Sequence, residues 1–155
     1  MNAEVLFTSS VRVAPRIEGL LGEATRSIDC ALYRLGNTAL AKGLRQATHR
    51  GVRVRVVLDR GKVREGLSHR ELLKNNSVSC RLSSGRSGGK SKMHHKFAVL
   101  DDSIALTGSY NWSEESEEDN YENLVILRES ALVDAYIQEF DLLWQQASDS
   151  DADAR

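Results

Sequence analysis

The sequence is poor in several residue types that would mark a specialised class of protein. Its 155 residues include two cysteines and one proline, and 6% are aromatic. Cys30 and Cys80 lie far apart, and neither has the Cys-x-x-Cys partner of a zinc site, so we expect two free thiols. The 21 basic and 22 acidic side chains leave a formal net charge of −1. Overall charge therefore gives no argument for a polyanionic partner, and any basic surface must be local.

Targeting and membrane-spanning segments are also missing from the sequence. There is no apolar run of about 18 residues, the length that a membrane helix needs. Residues 1–4 (MNAE) carry no basic group of the kind that starts a signal peptide. We therefore expect a soluble, cytoplasmic protein with no membrane anchor. A secreted or periplasmic protein whose leader had been removed would look the same.

What the chain does have is the composition of one globular domain. Hydrophobic residues make up 41% and charged residues 28%, which are ordinary values for soluble proteins. The length suits a single domain with a substantial core, which we place at residues 1–147. Residues 148–155 (SDSDADAR) form an acidic tail that we expect to be disordered.

Apolar runs and helical periodicity alternate along the chain. They predict strands at 4–8, 27–34, 52–58, 78–82, 96–100, 104–107 and 122–127, and helices at 14–25, 38–49, 68–74 and from 130 onward. Asn37 and Ser130 are the expected N-caps of the second and the last helix. The strand–helix order of the first half predicts an α/β fold, in which a mixed, mainly parallel β-sheet is flanked by helices on both faces.

Four polar side chains with complementary chemistry follow each other in the second half. His94 and Lys96 are two residues apart at a strand, so their side chains point to the same face. Ser109 and Asn111 repeat this spacing directly after Gly108, a residue that permits close approach of the backbone. An imidazole can act as a nucleophile near neutral pH, and ammonium, hydroxyl and amide groups can hold phosphate oxygens. Each piece alone is also typical of an ordinary turn, but the combination at this spacing favours phosphate chemistry.

The spacing resembles the full signature of the phospholipase D superfamily, His94-x-Lys96-(x)4-Asp101-(x)6-Gly108-Ser109-x-Asn111. Residues 50–59 and 93–97 are similar to the small members that carry one such motif. These members are the Nuc-type endonucleases and the Zucchini and mitochondrial cardiolipin hydrolase branch. The likeness extends roughly from residue 4 to residue 146. It implies a phospholipase D-like fold and phosphodiesterase activity that needs no metal and no cofactor.

The resemblance also implies a role for each residue of the motif. His94 would attack phosphorus and form a covalent phosphohistidine, while Lys96 and Asn111 would hold the phosphoryl oxygens. Ser109 would donate a hydrogen bond nearby. We interpret Asp101, at the turn end of its strand, as a structural residue that ties down the hairpin.

A nucleophilic imidazole needs its second nitrogen held by an acceptor, and a carboxylate does this best. Glu122 matches the acidic position that follows the motif in these enzymes, so we expect it to hold the proton of His94. Asp119 is the alternative. It ends the acidic run 114–119, whose pattern is typical of a solvated face.

A single motif leaves the chemistry incomplete in one chain. The leaving oxygen must be protonated, and a water must later open the phosphohistidine. The resemblance therefore implies a two-fold homodimer in which both copies of His94 face one groove. The charges of two Lys96 side chains would then take the role that a metal plays in other enzymes.

The segment before His94 favours a nucleic acid as substrate. It is rich in glycine and serine, and its basic residues Arg81, Arg86, Lys90 and Lys92 suit contacts to a phosphate backbone. His95 is either structural or a further substrate contact. We therefore predict a metal-independent endonuclease that acts on DNA, with RNA as an alternative polymer.

Two other functions remain open at this point. The first is a lipid phosphodiesterase of the phospholipase D or cardiolipin hydrolase type, which needs an interfacial anchor or an apolar face that the sequence does not display. The second is a catalytically idle nucleic-acid-binding module, against which the intact motif argues.

Overall fold

The computed structural model describes residues 2–74 and 78–148. The strands are β1 (Ala3–Phe7), β2 (Ser27–Leu32), β3 (Arg53–Asp59), β4 (Ser79–Ser83), β5 (Lys96–Leu100), β6 (Ile104–Gly108) and β7 (Asn123–Leu127). The helices are α1 (Ala14–Glu23), α2 (Thr38–His49), α3 (Arg60–Arg64), α4 (Arg70–Lys74), α5 (Glu114–Glu118) and α6 (Ser130–Gln146). Every predicted element is present, with ends within about two residues, which is the usual uncertainty of a helix or strand end. The short helices α3 and α5 were not predicted.

The strands form one seven-stranded sheet in the order β1-β7-β6-β5-β2-β3-β4. Strands β2, β3 and β4 pair in parallel, and the other four pairings are antiparallel. The mixed α/β sheet is confirmed, but parallel pairs are the minority, contrary to the predicted balance. The reason is the second half of the chain, where the connections lack a crossover helix. Residues 101–103 join β5 to β6 as a tight turn, and such a short link permits only an antiparallel pair.

Helices cover both faces of the sheet, as predicted. On one face, α1, α2 and α4 pack over residues such as Ile28 and Val56. On the other face, α6 packs over Ala31 and Val57 through Phe140, which is completely buried. Burial of a side chain of this size contributes about 1.5–3 kcal/mol. Cover on both sides explains why the central strands are continuously apolar in sequence.

The helix caps differ in how well the sequence predicted them. Asn37 caps α2 as expected, because its side-chain oxygen accepts from the backbone N–H of Leu40 at 3.1 Å. Ser130 is not the cap of α6, since it is already the first helical residue and Glu129 occupies the N-cap without a side-chain bond.

The start of α1 depends on an acidic residue from the distant α5. The backbone N–H groups of Val13 and Ala14 donate to the carboxylate of Glu117 at 3.2–3.3 Å. The Tyr110 hydroxyl donates to the same carboxylate at 2.8 Å. Glu117 is buried, so the acidic run 114–119 is not the purely solvated face that its composition indicated. Because Val13 has no side-chain acceptor, the carboxylate supplies the cap that α1 lacks.

The remaining expectations about the chain concern its thiols and its ends. Both cysteines are free, and burial raises the pKa of the Cys80 thiol to about 12 and that of Cys30 well above its ordinary value. Ser148 pairs with Leu82 of β4, so the folded region extends one residue past the predicted domain end. The rest of the predicted tail, 149–155, lies outside the described residues. Within the described ranges, no helix has the length and apolarity that a membrane crossing requires.

Candidate active site

The predicted nucleophile lies at the end of the sheet where β2 stops and β5 starts. His94 is not in a strand but precedes β5, whose first residue is Lys96. The two side chains still meet, because the Lys96 ammonium lies 3.2 Å from Nδ1 of His94. The same ammonium donates to the carbonyl oxygen of His94 at 3.0 Å. We call His94 and Lys96, together with the end of β2, the reaction corner. Strand β2 holds it in place, since the N–H of Tyr33 donates to the carbonyl of His95 at 2.8 Å.

An aromatic residue that the sequence did not single out forms the wall of this corner. The ring of Tyr33 lies 4.4 Å from the His94 ring, centroid to centroid, at a tilt of 55°. The Lys96 ammonium is 5.2 Å from the same Tyr33 centroid. In the sequence, Tyr33 falls inside the predicted strand 27–34, whereas β2 ends at Leu32. Its contact with His94 depends on the pairing of β2 with β5, which are more than 60 residues apart.

The electrostatics of the corner favour a neutral imidazole. Partial burial, together with the charges of Lys96 and Lys92, lowers the pKa of His94. Burial also lowers the pKa of Lys96, while the carboxylate of Glu122 acts in the opposite direction. At neutral pH the His94 ring is therefore mostly uncharged, the form in which an imidazole nitrogen can attack phosphorus.

The second half of the motif follows β6, opposite the first. Ala98 of β5 pairs with Leu106 of β6, so the same antiparallel register places Lys96 opposite Gly108. Gly108 has a φ of +145°, and a Cβ atom there would overlap the backbone carbonyl of Asn123. Only glycine fits this position.

Hydrogen bonds fix the two polar residues that come after Gly108. The hydroxyl oxygen of Ser109 accepts from the backbone N–H of Asn123 at 3.1 Å. The N–H of Asn111 donates to the hydroxyl of Ser116 at 3.2 Å, while the Asn111 side-chain oxygen is buried and finds no hydrogen-bond partner within the described residues. Such a group is rare in folded proteins. Because the oxygen is an acceptor, a contact from Asn111 to a phosphoryl oxygen would come from its amide N–H₂ group.

Glu122 lies close to the site but does not hold His94 within one chain. Its carboxylate accepts from the Ser116 hydroxyl at 2.6 Å and from the Asn120 amide at 3.4 Å. Both bonds go to Oε2, and no hydrogen bond between Glu122 and His94 is formed among the described residues of the single chain. Ser116, which the sequence did not single out, connects Glu122 to the backbone of Asn111. Asp119, the alternative, is exposed at the end of α5.

Asp101 makes the contacts of a structural residue. Its carboxylate accepts from the backbone N–H groups of Thr25, Arg26 and Ser27 at 2.7–3.2 Å. Although burial acts to raise it, these three hydrogen bonds lower the pKa of Asp101 overall. The contacts tie the β5–β6 turn to the segment between α1 and β2.

The predicted basic substrate contacts separate into three groups. Arg86 and Lys92 line a cavity of about 740 Å³ that also borders His94 and His95. Lys90 and Lys92 line a second cavity of about 420 Å³, which Tyr33 also borders. Lys92 thus borders both spaces.

Arg81 and His95 are turned toward α6 rather than into the site. The Arg81 guanidinium stacks on the Trp144 ring at 4.1 Å and donates to the Trp144 carbonyl at 2.7 Å. The structure does not bring Arg81 to the motif, because its position on β4 directs it to the α6 face. Nε2 of His95 lies 3.0 Å from the carboxylate of Glu139, a contact that fits the structural alternative.

A buried carboxylate links the nucleophile to α3. Asp59 accepts from the N–H of Met93, the residue before His94, at 3.0 Å. Its other oxygen accepts from the N–H of Lys62 at 3.1 Å and caps α3. In the part of the chain that the structure describes, no group of three or more His, Cys, Asp or Glu side chains could hold a metal ion.

Comparison with known proteins places this motif in its family. A family model described as "Cardiolipin synthase, PLD-like domain" matches residues 17–144. The chain belongs to the phospholipase D superfamily. The mitochondrial cardiolipin hydrolase of Xenopus tropicalis is 38% identical over 127 residues, which are 82% of this chain and 59% of that protein. The chain therefore spans less than two thirds of the length of this curated relative.

Solved structures share the fold of this superfamily member. Nuc from Salmonella typhimurium, described as a phospholipase D family member, superposes with a TM-score of 0.80 at 23% identity. The match covers 96% of this chain and 97% of Nuc. NucT from Helicobacter pylori gives a TM-score of 0.84 at 18% identity and covers 94% and 97% of the two chains. The predicted fold class and family are confirmed.

Proposed function

We propose that this chain hydrolyses phosphodiester bonds of nucleic acids, DNA first and RNA as an alternative, through a covalent intermediate on His94. One observation carries the proposal. The imidazole of His94 lies 3.2 Å from the Lys96 ammonium, just before β5, and the neighbouring strand β6 leads into Ser109 and Asn111. A neutral imidazole beside an ammonium suits a substrate with charged phosphoryl oxygens, because the imidazole can attack phosphorus while the ammonium donates to those oxygens.

The proposed reaction has two steps. The neutral His94 nitrogen attacks phosphorus, the P–N bond forms, and the bond from phosphorus to the leaving oxygen breaks as that oxygen takes a proton. Water then attacks phosphorus, gives up its proton to a base, and breaks the P–N bond. Lys96 and Asn111 neutralise and orient the phosphoryl oxygens in both steps, so we expect turnover without a metal ion.

The proton donor and the base must come from outside this corner. His95 is engaged with Glu139, His69 contacts the carbonyl of Gly36 at 3.1 Å, and His49 ends α2. A second copy of the chain would supply a second His94 to the same phosphate, which is the simplest completion of the site. Glu122 keeps its predicted role toward an imidazole only as part of this proposed dimer.

Exposed apolar side chains next to the site support the dimer. Tyr121, which directly precedes Glu122, is 92% exposed, and Val5 and Phe7 on the edge strand β1 are about half exposed. Phe7 lies opposite Asn123, the residue that holds Ser109. Single exposed side chains of this kind are common on soluble proteins, and we infer that these three are buried in the proposed dimer. Here they would bring two motifs together.

A lipid phosphodiester is the second candidate substrate, and one feature favours it. The cavity of about 740 Å³ beside His94 has an apolar wall that includes Leu142 and Leu143. Leu142 is 48% exposed. The curated relative from Xenopus tropicalis is named for cardiolipin hydrolysis. The basic residues Arg86 and Lys92 on the opposite wall favour a nucleic acid as the first choice.

The decisive assay compares both substrate classes in excess EDTA. We expect the wild-type chain to cleave a labelled oligonucleotide faster than phosphatidyl lipids, and His94→Ala to be inactive. His49→Ala, which removes the exposed histidine at the end of α2, is the matched control and should keep full activity. Binding of oligonucleotide without cleavage would instead support an idle binding module, and cleavage of lipid alone would reject the nuclease.

A further inference from the structure

A second basic cavity adjoins the motif, and the proposed chemistry at one phosphate does not use it. This α3 cavity has a volume of about 420 Å³ and lies between α3 and the glycine-rich loop. Asp59 and Glu65 are its acidic lining residues, and its basic lining residues are Arg60, Lys62, Arg64, Lys90 and Lys92. Ser84, Gly89 and Ser91 complete a polar wall. Such a lining suits an anion and offers little to an acyl chain.

Tyr33 is the wall that the α3 cavity shares with the reaction site. Its ring contacts His94 on one side and carries three ammonium groups around it. Their distances from the ring centroid are 5.2 Å for Lys96, 5.3 Å for Lys62 and 5.9 Å for Lys92. An anion that contacts Lys62 and Lys92 would therefore be a near neighbour of a phosphate at His94.

Among the described residues, these three ammonium groups share one carboxylate partner, that of Glu65. Lys62 pairs with Glu65 at 2.9 Å, but this carboxylate is 55% exposed and weakly held. Within the described residues, neither Lys92 nor Lys96 forms an ion pair with a carboxylate. Both oxygens of the buried Asp59 are occupied by backbone N–H groups. Like charges around one ring repel each other, so a bound anion would be stabilised here.

Asp59 holds the cavity and the nucleophile in fixed relation. One of its oxygens anchors α3 through Lys62, and the other anchors the residue before His94. The side chain is only 3% exposed, so this link is screened from solvent. A substrate that reaches from His94 to Lys62 would meet a preorganised pair of sites.

We propose that the α3 cavity binds a second phosphate of the same substrate, the one next to the scissile phosphate along a polynucleotide. Lys62 and Lys92 contact this phosphate, and the Tyr33 ring supports the sugar or base between the two phosphates. A polynucleotide fits because it repeats phosphates at short spacing and carries flat bases that stack on aromatic rings. This assignment rests on the proposed nuclease function. It adds Lys62, Lys92 and Tyr33 as residues that distinguish a substrate with several phosphates from one with a single phosphate.

The test compares substrates with one and with several phosphates. The kcat/KM of a single-stranded oligonucleotide is divided by that of bis(4-nitrophenyl) phosphate, which has one phosphodiester. We expect Lys62→Gln to lower this ratio about tenfold, the equivalent of one charged contact. The loss should appear in KM, and the slope of log KM against log salt should fall by about 0.7. Lys42→Gln removes a lysine from the exposed side of α2 and should leave the ratio and the slope unchanged.

Two results would overturn the subsite. An equal loss on both substrates means that Lys62 acts on the reaction corner through Tyr33. An unchanged ratio in Lys62→Gln and in the Lys62→Gln/Lys92→Gln double variant means that no second phosphate is bound. Circular dichroism of each variant confirms that the fold is intact.

A lipid arm separates failure of the subsite from failure of the nuclease function. If the wild type cleaves lipids but no oligonucleotide, the nuclease proposal and the polynucleotide assignment both fail. The kcat/KM for cardiolipin, with two phosphates, is then divided by that for phosphatidylglycerol, with one. A lower ratio in Lys62→Gln than in the wild type shows that Lys62 recognises a second phosphate of a lipid. If oligonucleotides are cleaved and Lys62→Gln is silent, only the subsite fails.

Discussion

Two groups of cations in this molecule lie on aromatic rings, and they differ in what balances their charge. Beneath α6, the Arg55 guanidinium lies 5.0 Å from the Phe140 centroid and donates to Asp29 at 2.8 Å. Around Tyr33, the ammonium groups of Lys62, Lys92 and Lys96 gather with one exposed carboxylate partner, that of Glu65, among the described residues. Carboxylates of the chain neutralise the first group, which we call closed. The second group has excess positive charge that a bound anion could neutralise, and we call it open.

The difference follows from the position of each group in the fold. Helix α6 covers the first group and removes it from water, which would be costly without the paired carboxylate. The second group lies at the end of the sheet, where Lys62 of α3 and Lys92 of the glycine-rich loop line a cavity. A cation on an aromatic ring is therefore common to structural and functional sites. The balance of charge distinguishes them.

The largest effect is expected from removal of the acid that closes the first group. Asp29→Ala removes the buried carboxylate of Arg55 and leaves only the exposed Asp141 near its guanidinium, so we expect a loss of about 3–5 kcal/mol in the free energy of unfolding. Urea denaturation measures this loss. Asp141→Ala removes a 52% exposed carboxylate 3.6 Å from the same guanidinium and should cost less than about 1 kcal/mol. Equal costs for the two variants would contradict the picture of a closed group.

Removal of a cation from the open group should damage turnover rather than stability. Lys96→Ala deletes the ammonium beside His94, and we expect kcat to fall roughly 10²–10³-fold, or about 2.7–4 kcal/mol in the barrier. Steady-state assays on an oligonucleotide measure the fall, and urea denaturation should show little change. A kcat within threefold of wild type would mean that Lys96 does not meet the phosphate. Lys42→Ala serves as the matched control.

The link between the α3 cavity and the nucleophile can be cut with one substitution. Asp59→Asn replaces one carboxylate oxygen by an amide, so either Met93 or Lys62 loses the acceptor of its backbone N–H. An unsatisfied buried donor costs about 1–3 kcal/mol, which urea denaturation detects. We also expect a lower kcat and a higher KM for an oligonucleotide, because the substitution loosens the position of His94 relative to α3. Normal kinetics in a destabilised variant would show that Asp59 is structural only.

The smallest effect concerns the pH dependence of the reaction. His94 must be neutral to attack, so kcat/KM should fall as the pH drops through its pKa, which burial and the charges of Lys96 and Lys92 lower. Lys92→Gln removes one of these charges and should raise this pKa, so the acid limb moves to higher pH. A profile between about pH 5 and pH 8 shows the shift. A limb that stays in place, or moves to lower pH, would contradict the assignment.

The sequence predicted the parts of the fold that depend on local pattern. Apolar runs located the strands, and the Asn37 cap placed the start of α2. The hairpin of β5 and β6 at Asp101 was predicted. The mainly parallel balance of the sheet was wrong, because it was inferred from the strand–helix order of the first half. The cap of α1 was also missed, since Glu117 reaches Val13 across 104 positions of sequence. Contacts over that distance leave no periodic signal.

The candidate site shows the same division. Fixed spacing was enough to propose His94, Lys96 and Asn111 as a group. Tyr33 could not be found in this way, because only the pairing of β2 with β5 brings it to His94. Arg81 was misplaced for a related reason, since the sequence did not show that its side of β4 faces α6. Positive charge close to the motif in sequence therefore predicts the residues of the site less well than strand pairing does.

The central claim is that His94 forms the covalent bond to phosphorus. A ³²P-labelled oligonucleotide is mixed with enzyme in excess EDTA and quenched rapidly in alkali, in which a phosphohistidine survives. We predict that label remains on the wild-type protein and on His49→Ala, is absent from His94→Ala, and decays at the rate of product formation. Labelled protein in His94→Ala, or complete loss of cleavage on chelation, would contradict the account.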